Sequence, residues 1–386
     1  LAAFSRRPPR ELDPPVRAVL RLALFQMCRL TRIPDFAVVD TAVRLAKRFR
    51  GGAAVNLVNA VLRRAAAGWR DVTFPSRDDD PIGHLATGLS HPPWLVERWL
   101  VQFGFDETAA LLGANNEPAP TVLRVNRRHI DRAQLLARVH EGGWTAAATL
   151  YSPAGICLEG GGALRALPGY AEGWYALQGE ASQLVGLLVD PQPGERVLDA
   201  CAAPGGKATH LAELMNDQGE LVALDIHERG VQRVNHLARR LRLSIVKPIA
   251  ADALTWTAKV GFDRVLVDAP CSGFGTLRQH PEVKWRRTPA DIEALARLQT
   301  QLLLHLADLV RPGGILVYAT CTISVPENEN VVGAFLQQQH AFTVDEAQAV
   351  LPDHARTLVG SDGALRTLPH RHGLDGFFAV RLKRCA

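Results

Sequence analysis

The sequence predicts a multidomain chain. An all-α N-terminal segment (1–75) leads through a linker and small α+β domain (76–167) to a doubly wound α/β domain (168–386). Three observations carry that prediction. Apolar residues recur at helical spacing from Arg17 to about Arg70. From about Pro168, short apolar runs alternate with helical stretches. One of those runs, Arg196-Val197-Leu198, ends in Asp199-Ala200-Cys201-Ala202-Ala203-Pro204-Gly205-Gly206-Lys207. A strand, a tight glycine-rich turn and a helix in that order is how a doubly wound sheet builds a small-molecule pocket.

In the N-terminal segment, Val16, Val19, Leu20, Ala23, Leu24 and Met27 share one face, and Val38, Val39, Ala42, Val43, Leu45 and Ala46 another. Pro34 separates these two helices, and Gly51-Gly52 separates the second from a third over 53–66. Residues 71–90, rich in Asp, Pro, Ser and Gly, read as linker. Helical spacing resumes at Pro92, through Trp94, Leu95, Trp99, Leu100 and 109–112. Then come a strand at 121–126, a helix at 132–140 and strand-like pieces at 149–152 and 156–158. In the last domain, strands are predicted at 196–200, 220–225, 244–249, 262–268 and 314–320, in a mostly parallel sheet covered on both faces.

Charge and cysteine usage narrow the function. Of the 386 residues, the first 75 hold 14 Lys+Arg against 5 Asp+Glu, while the whole chain is only +5. A basic N-terminal segment on a near-neutral body fits a polyanion partner. Arg124, Arg127, Arg128, Arg132 and Arg138, around a lone Asp131, form a second basic patch. No apolar run approaches a membrane span, so no membrane partner is expected. Six cysteines without a C-x-x-C pair argue against zinc and disulfides and for a reducing, cytoplasmic setting.

The chemistry lies at predicted strand ends. Asp225 closes Leu221-Val222-Ala223-Leu224, where an acid accepts hydrogen bonds from a ribose. Asp252 follows the third strand, where a carboxylate meets an adenine amino group. Asp268 ends the fourth in Asp268-Ala269-Pro270-Cys271-Ser272-Gly273, and the fifth ends in Ala319-Thr320-Cys321-Thr322. Ligand sites lie outside the carboxyl ends of parallel strands, so these positions are expected to converge on one crevice. Carbon-5 of a pyrimidine is a poor nucleophile until a thiolate adds to carbon-6, and a carboxyl near ring nitrogen-3 assists that addition. Two thiols beside an acid suit that reaction, although sequence chemistry leaves open which thiol attacks. Lys207 either positions Asp268 or the base, or is a salt-bridged helix lysine.

Together these motifs resemble the Sun/Fmu (RsmB) family of bacterial small-subunit ribosomal RNA cytosine-5 methyltransferases, within the NOL1/NOP2/Sun group. The sequence 199–207, Asp-Ala-Pro-Cys-Ser-Gly at 268–273 and Ala-Thr-Cys-Thr at 319–322 are similar to that group's methyl-donor, Pro-Cys and Thr-Cys motifs. Arg278 to Trp285 resembles the Sun branch's Arg-x-x-Pro-x-x-x-Trp region. Arg32-Ile33-Pro34-Asp35 and 57–64 resemble a NusB-like RNA-binding domain, into which the chain is expected to begin partway. The resemblance implies a Rossmann-like class I methyltransferase domain and S-adenosylmethionine as donor. Cys201, Ala202, Ala203, Pro204, Gly205, Gly206 and Lys207 would wrap the donor's methionine part, with Asp225 on the ribose, Asp252 on the adenine and Asp268 between donor and base. It further implies Cys321 as nucleophile and Cys271 as the residue that helps release the product. The cationic sulfonium suits a pocket lined by Asp199, Asp225, Asp252 and Asp268.

Small-subunit ribosomal RNA is the expected partner of a monomer that needs no metal. Arg63, Arg64, Arg124, Arg127, Arg128, Arg278 and Lys284 are candidate RNA contacts, and Trp285 either stacks on RNA or packs the lid. A dinucleotide dehydrogenase is disfavoured because G-x-G-x-x-G is missing after the first strand. A non-enzymatic RNA-binding factor is disfavoured by the intact Asp268, Cys271 and Cys321. A DNA cytosine-5 methyltransferase is disfavoured by the Thr-Cys motif and the NusB-like segment.

Overall fold

A computed structural model describes residues 1–160 and 164–385, apart from the side chain of Arg50. The chain divides into two compact units, Leu1–Gly88 and Leu89–Ala386.

The first unit is helical. Helices α1 (Pro14–Arg29), α2 (Asp35–Arg50) and α3 (Gly52–Gly68) pack on one another through the stripes expected from their spacing. Val19, Leu20, Val38, Val58, Val61 and Leu62 are buried between them, each such side chain contributing about 1.5–3 kcal/mol when fully buried. The expected linker over 71–90 is not all irregular, since 81–88 form helix α4 (Pro81–Gly88). Asp80 accepts from the Gly83 N–H at 2.8 Å and Pro81 takes the first helical position, so residues read as loop-formers nucleate a helix start.

The second unit begins with α5 (Pro93–Phe103) and α6 (Phe105–Asn115). A four-stranded antiparallel sheet follows, from β1 (Thr121–Val125), β2 (Ala146–Ala148), β3 (Gly155–Leu158) and β4 (Tyr175–Leu177), in the order β2-β3-β1-β4. Helix α7 (Arg132–Glu141) packs on it, started by a capping box between Asp131 and Gln134. The strand expected at 149–152 is instead the turn from β2 to β3. There the Tyr151 and Ser152 N–H groups donate to Glu180 Oε1 at 2.5 and 2.7 Å, not to a neighbouring strand.

The large sheet is built from β5 (Arg196–Asp199), β6 (Glu220–Asp225), β7 (Val246–Ala250), β8 (Phe262–Asp268), β9 (Val310–Thr320), β10 (Phe342–Val344), β11 (Leu365–Thr367) and β12 (Phe377–Arg384). Helices α8 (Glu180–Val189), α9 (Gly206–Leu214), α10 (Glu228–Arg240), α11 (Val283–Arg286), α12 (Pro289–Ala307) and α13 (Glu329–Gln338) lie before or between the strands in sequence. The order is β10-β12-β9-β8-β5-β6-β7, with β11 beside β12. Strands β5 to β9 run parallel, as expected of buried apolar runs, and β12 returns antiparallel against β9. Strand β7 starts later than expected because the Ser244 and Ile245 N–H groups bond Asp217 Oδ1 at 2.8 and 3.1 Å. From β5 the chain winds outward through β6 and β7, then returns to place β8 on the other side of β5. That reversal puts the topological switch point between β5 and β8.

Candidate active site

The site opens at that switch point. Gly205 has φ +108° and caps α9, and a Cβ there would meet the Val234 backbone at 3.0 Å. Only glycine fits both conditions, so the turn is free to bring Ala202, Ala203 and Pro204 to the pocket wall. The cavity, about 770 Å³, is lined by Cys201, Gly206, Lys207, Asp225, Asp252, Asp268, Cys271 and Cys321, among others. Its volume suits a ligand of nucleoside-plus-amino-acid size. The sheet-end positions predicted from sequence therefore converge, with two exceptions. Gly205 shapes the turn without lining the cavity. Asp199 sits behind the wall, fully buried, and neither carboxylate oxygen has a hydrogen-bond partner. Burial, reinforced by the Asp268 charge, pushes its pKa up to about 7.

The other acids are already oriented. Asp225 accepts from the His227 N–H at 2.9 Å and the Ala203 N–H at 3.3 Å, and Asp252 accepts from the Leu254 N–H at 2.9 Å. A carboxylate has about four lone-pair sites, so each keeps acceptor capacity for a hydroxyl or amino group. Lys207 Nζ lies 2.7 Å from Asp268 Oδ2 and 5.2 Å from the Phe377 ring centroid. Burial opposes its charge, but the Asp268 carboxylate outweighs this and holds the ammonium above its ordinary range.

Cys271 Sγ and Cys321 Sγ are 3.4 Å apart. Cys321 is pulled below its ordinary pKa, first by the hydrogen bond from Cys271 and also by the Lys207 charge. The same hydrogen bond, with burial, pushes Cys271 well above its own. The contact thus favours the anion at Cys321 over Cys271. The third thiol, Cys201, is pushed up by burial and by Asp199, as befits a packing residue.

The basic candidates divide. Arg63, Arg64 and Arg127 are exposed. Arg124 is not a surface residue: fully buried, it donates to Glu213 at 2.7 and 2.9 Å, to the Gly206 carbonyl at 2.6 Å and to Thr209 at 3.1 Å. It therefore ties β1 to the α9 turn. Arg128 is held by Asp217 and the Arg242 carbonyl. Arg278 pairs with Asp375 at 3.3 Å, with its side chain only 8% exposed. Lys284 is 4% exposed and bonds Asn116 Oδ1 at 3.2 Å, and desolvation lowers its pKa to about 8. Neither Arg278 nor Lys284 presents its charge to solvent. Trp285, by contrast, is 57% exposed and does not pack a lid.

Sequence reasoning missed Asp375 and Phe377, both lining the cavity, and Gln279, which donates to Asp375 Oδ2 at 2.6 Å. Asp375 and Phe377 lie at the start of β12, and an antiparallel strand delivers its amino end to the crevice that its parallel neighbours reach with their carboxyl ends. Glu327 and Asn328 were missed as well.

Comparisons with known proteins agree with one another. Residues 186–383 match the family model described as 16S rRNA methyltransferase RsmB/F, residues 91–165 the RsmF/B-like ferredoxin-like domain and residues 1–67 the NusB family. The chain is 39% identical over 97% of its length to a probable ribosomal RNA small subunit methyltransferase B of Bacillus subtilis, covering 84% of that protein. It is 38% identical over its full length to ribosomal RNA small subunit methyltransferase B of Pseudomonas putida, covering 86% of it. Among solved structures, PH0851 superposes with a TM-score of 0.84 at 30% identity over 99% of this chain and 85% of that one. A methyltransferase homolog protein from Pyrococcus horikoshii superposes with a TM-score of 0.68 at 27% identity over 79% of this chain and 99% of that one.

Proposed function

The chain belongs to the 16S rRNA methyltransferase RsmB/F family, and on that premise we propose that it methylates carbon-5 of a cytosine through a covalent bond between Cys321 and the base. It is a 16S ribosomal RNA methyltransferase whose donor is S-adenosylmethionine. The donor supplies an electrophilic methyl on a sulfonium, which becomes a neutral thioether once the methyl leaves.

The observation that carries the finer reading is the thiol pair 3.4 Å apart beside a lysine–carboxylate pair. Cys321, the thiolate, adds to carbon-6 of the ring, and the electron pair this pushes toward carbon-5 makes that atom nucleophilic. The Lys207 ammonium, held in place by Asp268, supplies the positive charge beside the ring as it takes up negative character, so the addition is stabilised where charge develops. After methylation, carbon-5 gives its proton to solvent, the carbon-5–carbon-6 double bond re-forms, and Cys321 leaves carbon-6 as the thiolate with the Cys271 thiol beside it to assist release. Asp225, Asp252 and 201–207 hold the donor in this scheme. Arg63, Arg64 and Arg127 are assigned to RNA phosphates on the support of their exposure, contacts that would offset the few kcal/mol of unstacking the base.

The test is adduct trapping with labelled donor and 16S ribosomal RNA. Cys321→Ala forms no protein–RNA adduct, whereas Cys271→Ala accumulates one. The reverse pattern overturns the assigned roles, and methyl transfer to any atom other than carbon-5 overturns the reaction.

A further inference from the structure

The two thiols belong to loops 50 residues apart in sequence, yet their 3.4 Å contact requires the loops to be held together. Direct backbone pairing of the two loops is slight: the Gly275 N–H donates to the Cys321 carbonyl at 3.0 Å. What binds one loop to the other is a pair of consecutive buried side chains at the turn into α13. Glu327, fully buried, accepts from the Ser272 N–H at 2.7 Å, the Ser272 hydroxyl at 2.6 Å and Gln299 Nε2 at 3.2 Å. Asn328 takes the other loop, accepting from the Thr320 hydroxyl at 2.6 Å and donating to the Thr322 carbonyl at 2.9 Å. The Ser272 and Thr322 hydroxyls then meet at 2.8 Å, so the residue after each cysteine touches the other loop. Tyr318 donates to the Glu327 carbonyl at 2.5 Å and anchors the turn to β9.

We propose that Glu327, with Asn328 beside it, is a positioning residue that fixes the contact between the two thiols and assigns which one donates. A buried carboxylate is a costly way to hold a loop, since a neutral acceptor would meet the same geometry at lower desolvation cost. Its charge has a use here. Glu327 is one of the groups that keep Cys271 protonated, whereas Lys207 favours the anion at Cys321. The two ionised side chains thus bias the two sulfurs in opposite directions. This inference rests on the two-thiol reading above, but it concerns the free protein and can fail separately from it.

The experiment follows carbamidomethylation of each cysteine by iodoacetamide between pH 6 and 10, resolved by peptide mass spectrometry, in protein without RNA or donor. The charged and titratable groups around the pair are Asp268, Lys207, Glu327 and Tyr318, with Arg287 Nη2 on the Cys271 carbonyl at 3.3 Å. Glu327→Gln is isosteric and removes the charge. It is expected to move the onset of Cys271 labelling down by one pH unit or more, about tenfold faster labelling per unit. Glu327→Asp, which keeps the charge, restores the late onset. In steady state, Glu327→Gln lowers kcat and leaves KM for the donor unchanged. Unchanged onsets in folded Glu327→Gln, or an equal shift at both cysteines, overturn the proposal. Should Glu327→Gln not fold, Thr322→Val breaks the hydroxyl bridge alone, and Ser272→Ala breaks it together with the hydroxyl bond to Glu327. Both are expected to lower kcat with KM for the donor unchanged, and wild-type kcat in both overturns the proposal. An error in the cytosine-5 reading would show differently, as the lack of any RNA adduct in Cys271→Ala protein while the wild-type thiol order is intact.

Discussion

Lys207→Met tests how the nucleophile is charged. The substitution keeps most of the side-chain volume and removes the cation 2.7 Å from Asp268 Oδ2. Two unit charges at that separation attract by about 6 kcal/mol at an effective dielectric of about 20. The side chains are 12% and 24% exposed, so solvent screens part of this and desolvation of the two groups offsets more. Roughly 1.5–3 kcal/mol should remain, or about ten- to a hundredfold in kcat/KM. The sign is fixed by Cys321, whose pKa Lys207 helps to depress. Without the ammonium, the thiolate forms at higher pH, and the acid limb of the rate profile moves to higher pH. Single-turnover transfer measured from pH 6 to 10 reads both effects, with carbamidomethylation of Cys321 as a control for thiolate formation. Full activity at pH 7 with an unmoved acid limb would refute the argument, and so would a loss independent of pH.

Two predictions concern stability. Asp199 is buried without partners and ordinarily ionises near 4, but in the folded chain it does so near pH 7. Between those values the folded state holds a proton that the unfolded chain has lost, so Asp199 costs stability as pH rises, at most about 4 kcal/mol above pH 7. Asp199→Asn should therefore raise the Tm at pH 8 and leave it unchanged near pH 4, and thermal melts across that range check it. Arg124→Ala leaves the buried Glu213 carboxylate without its ion pair and should cost about 3–5 kcal/mol in denaturant unfolding. Arg127→Ala, at an exposed position, should leave stability intact and reduce the salt dependence of RNA binding instead.

The sequence by itself determined everything that depends on neighbours along the chain. Apolar runs closed by Asp199, Asp225 and Asp268 announced parallel strands, because a strand buried on both faces needs a continuous apolar run and its turn needs small or acidic residues. The helices of 14–68 were legible for the same reason, their apolar stripes being a local period. Tertiary structure decided what each polar group faces. Arg124 looks like its neighbours in a basic patch, and only the approach of β1 to the α9 turn turns it into a buried clamp. Asp199 shares a motif with pocket residues, but its side chain points behind the wall. Asp375 and Phe377 reach the crevice because β12 runs against its neighbours, a pairing that no local pattern specifies. The Glu327–Asn328 bracket exists only once two distant loops are side by side. Propensity and period are encoded within a few residues, whereas burial, charge pairing and thiol order are set by contacts between residues far apart in the chain.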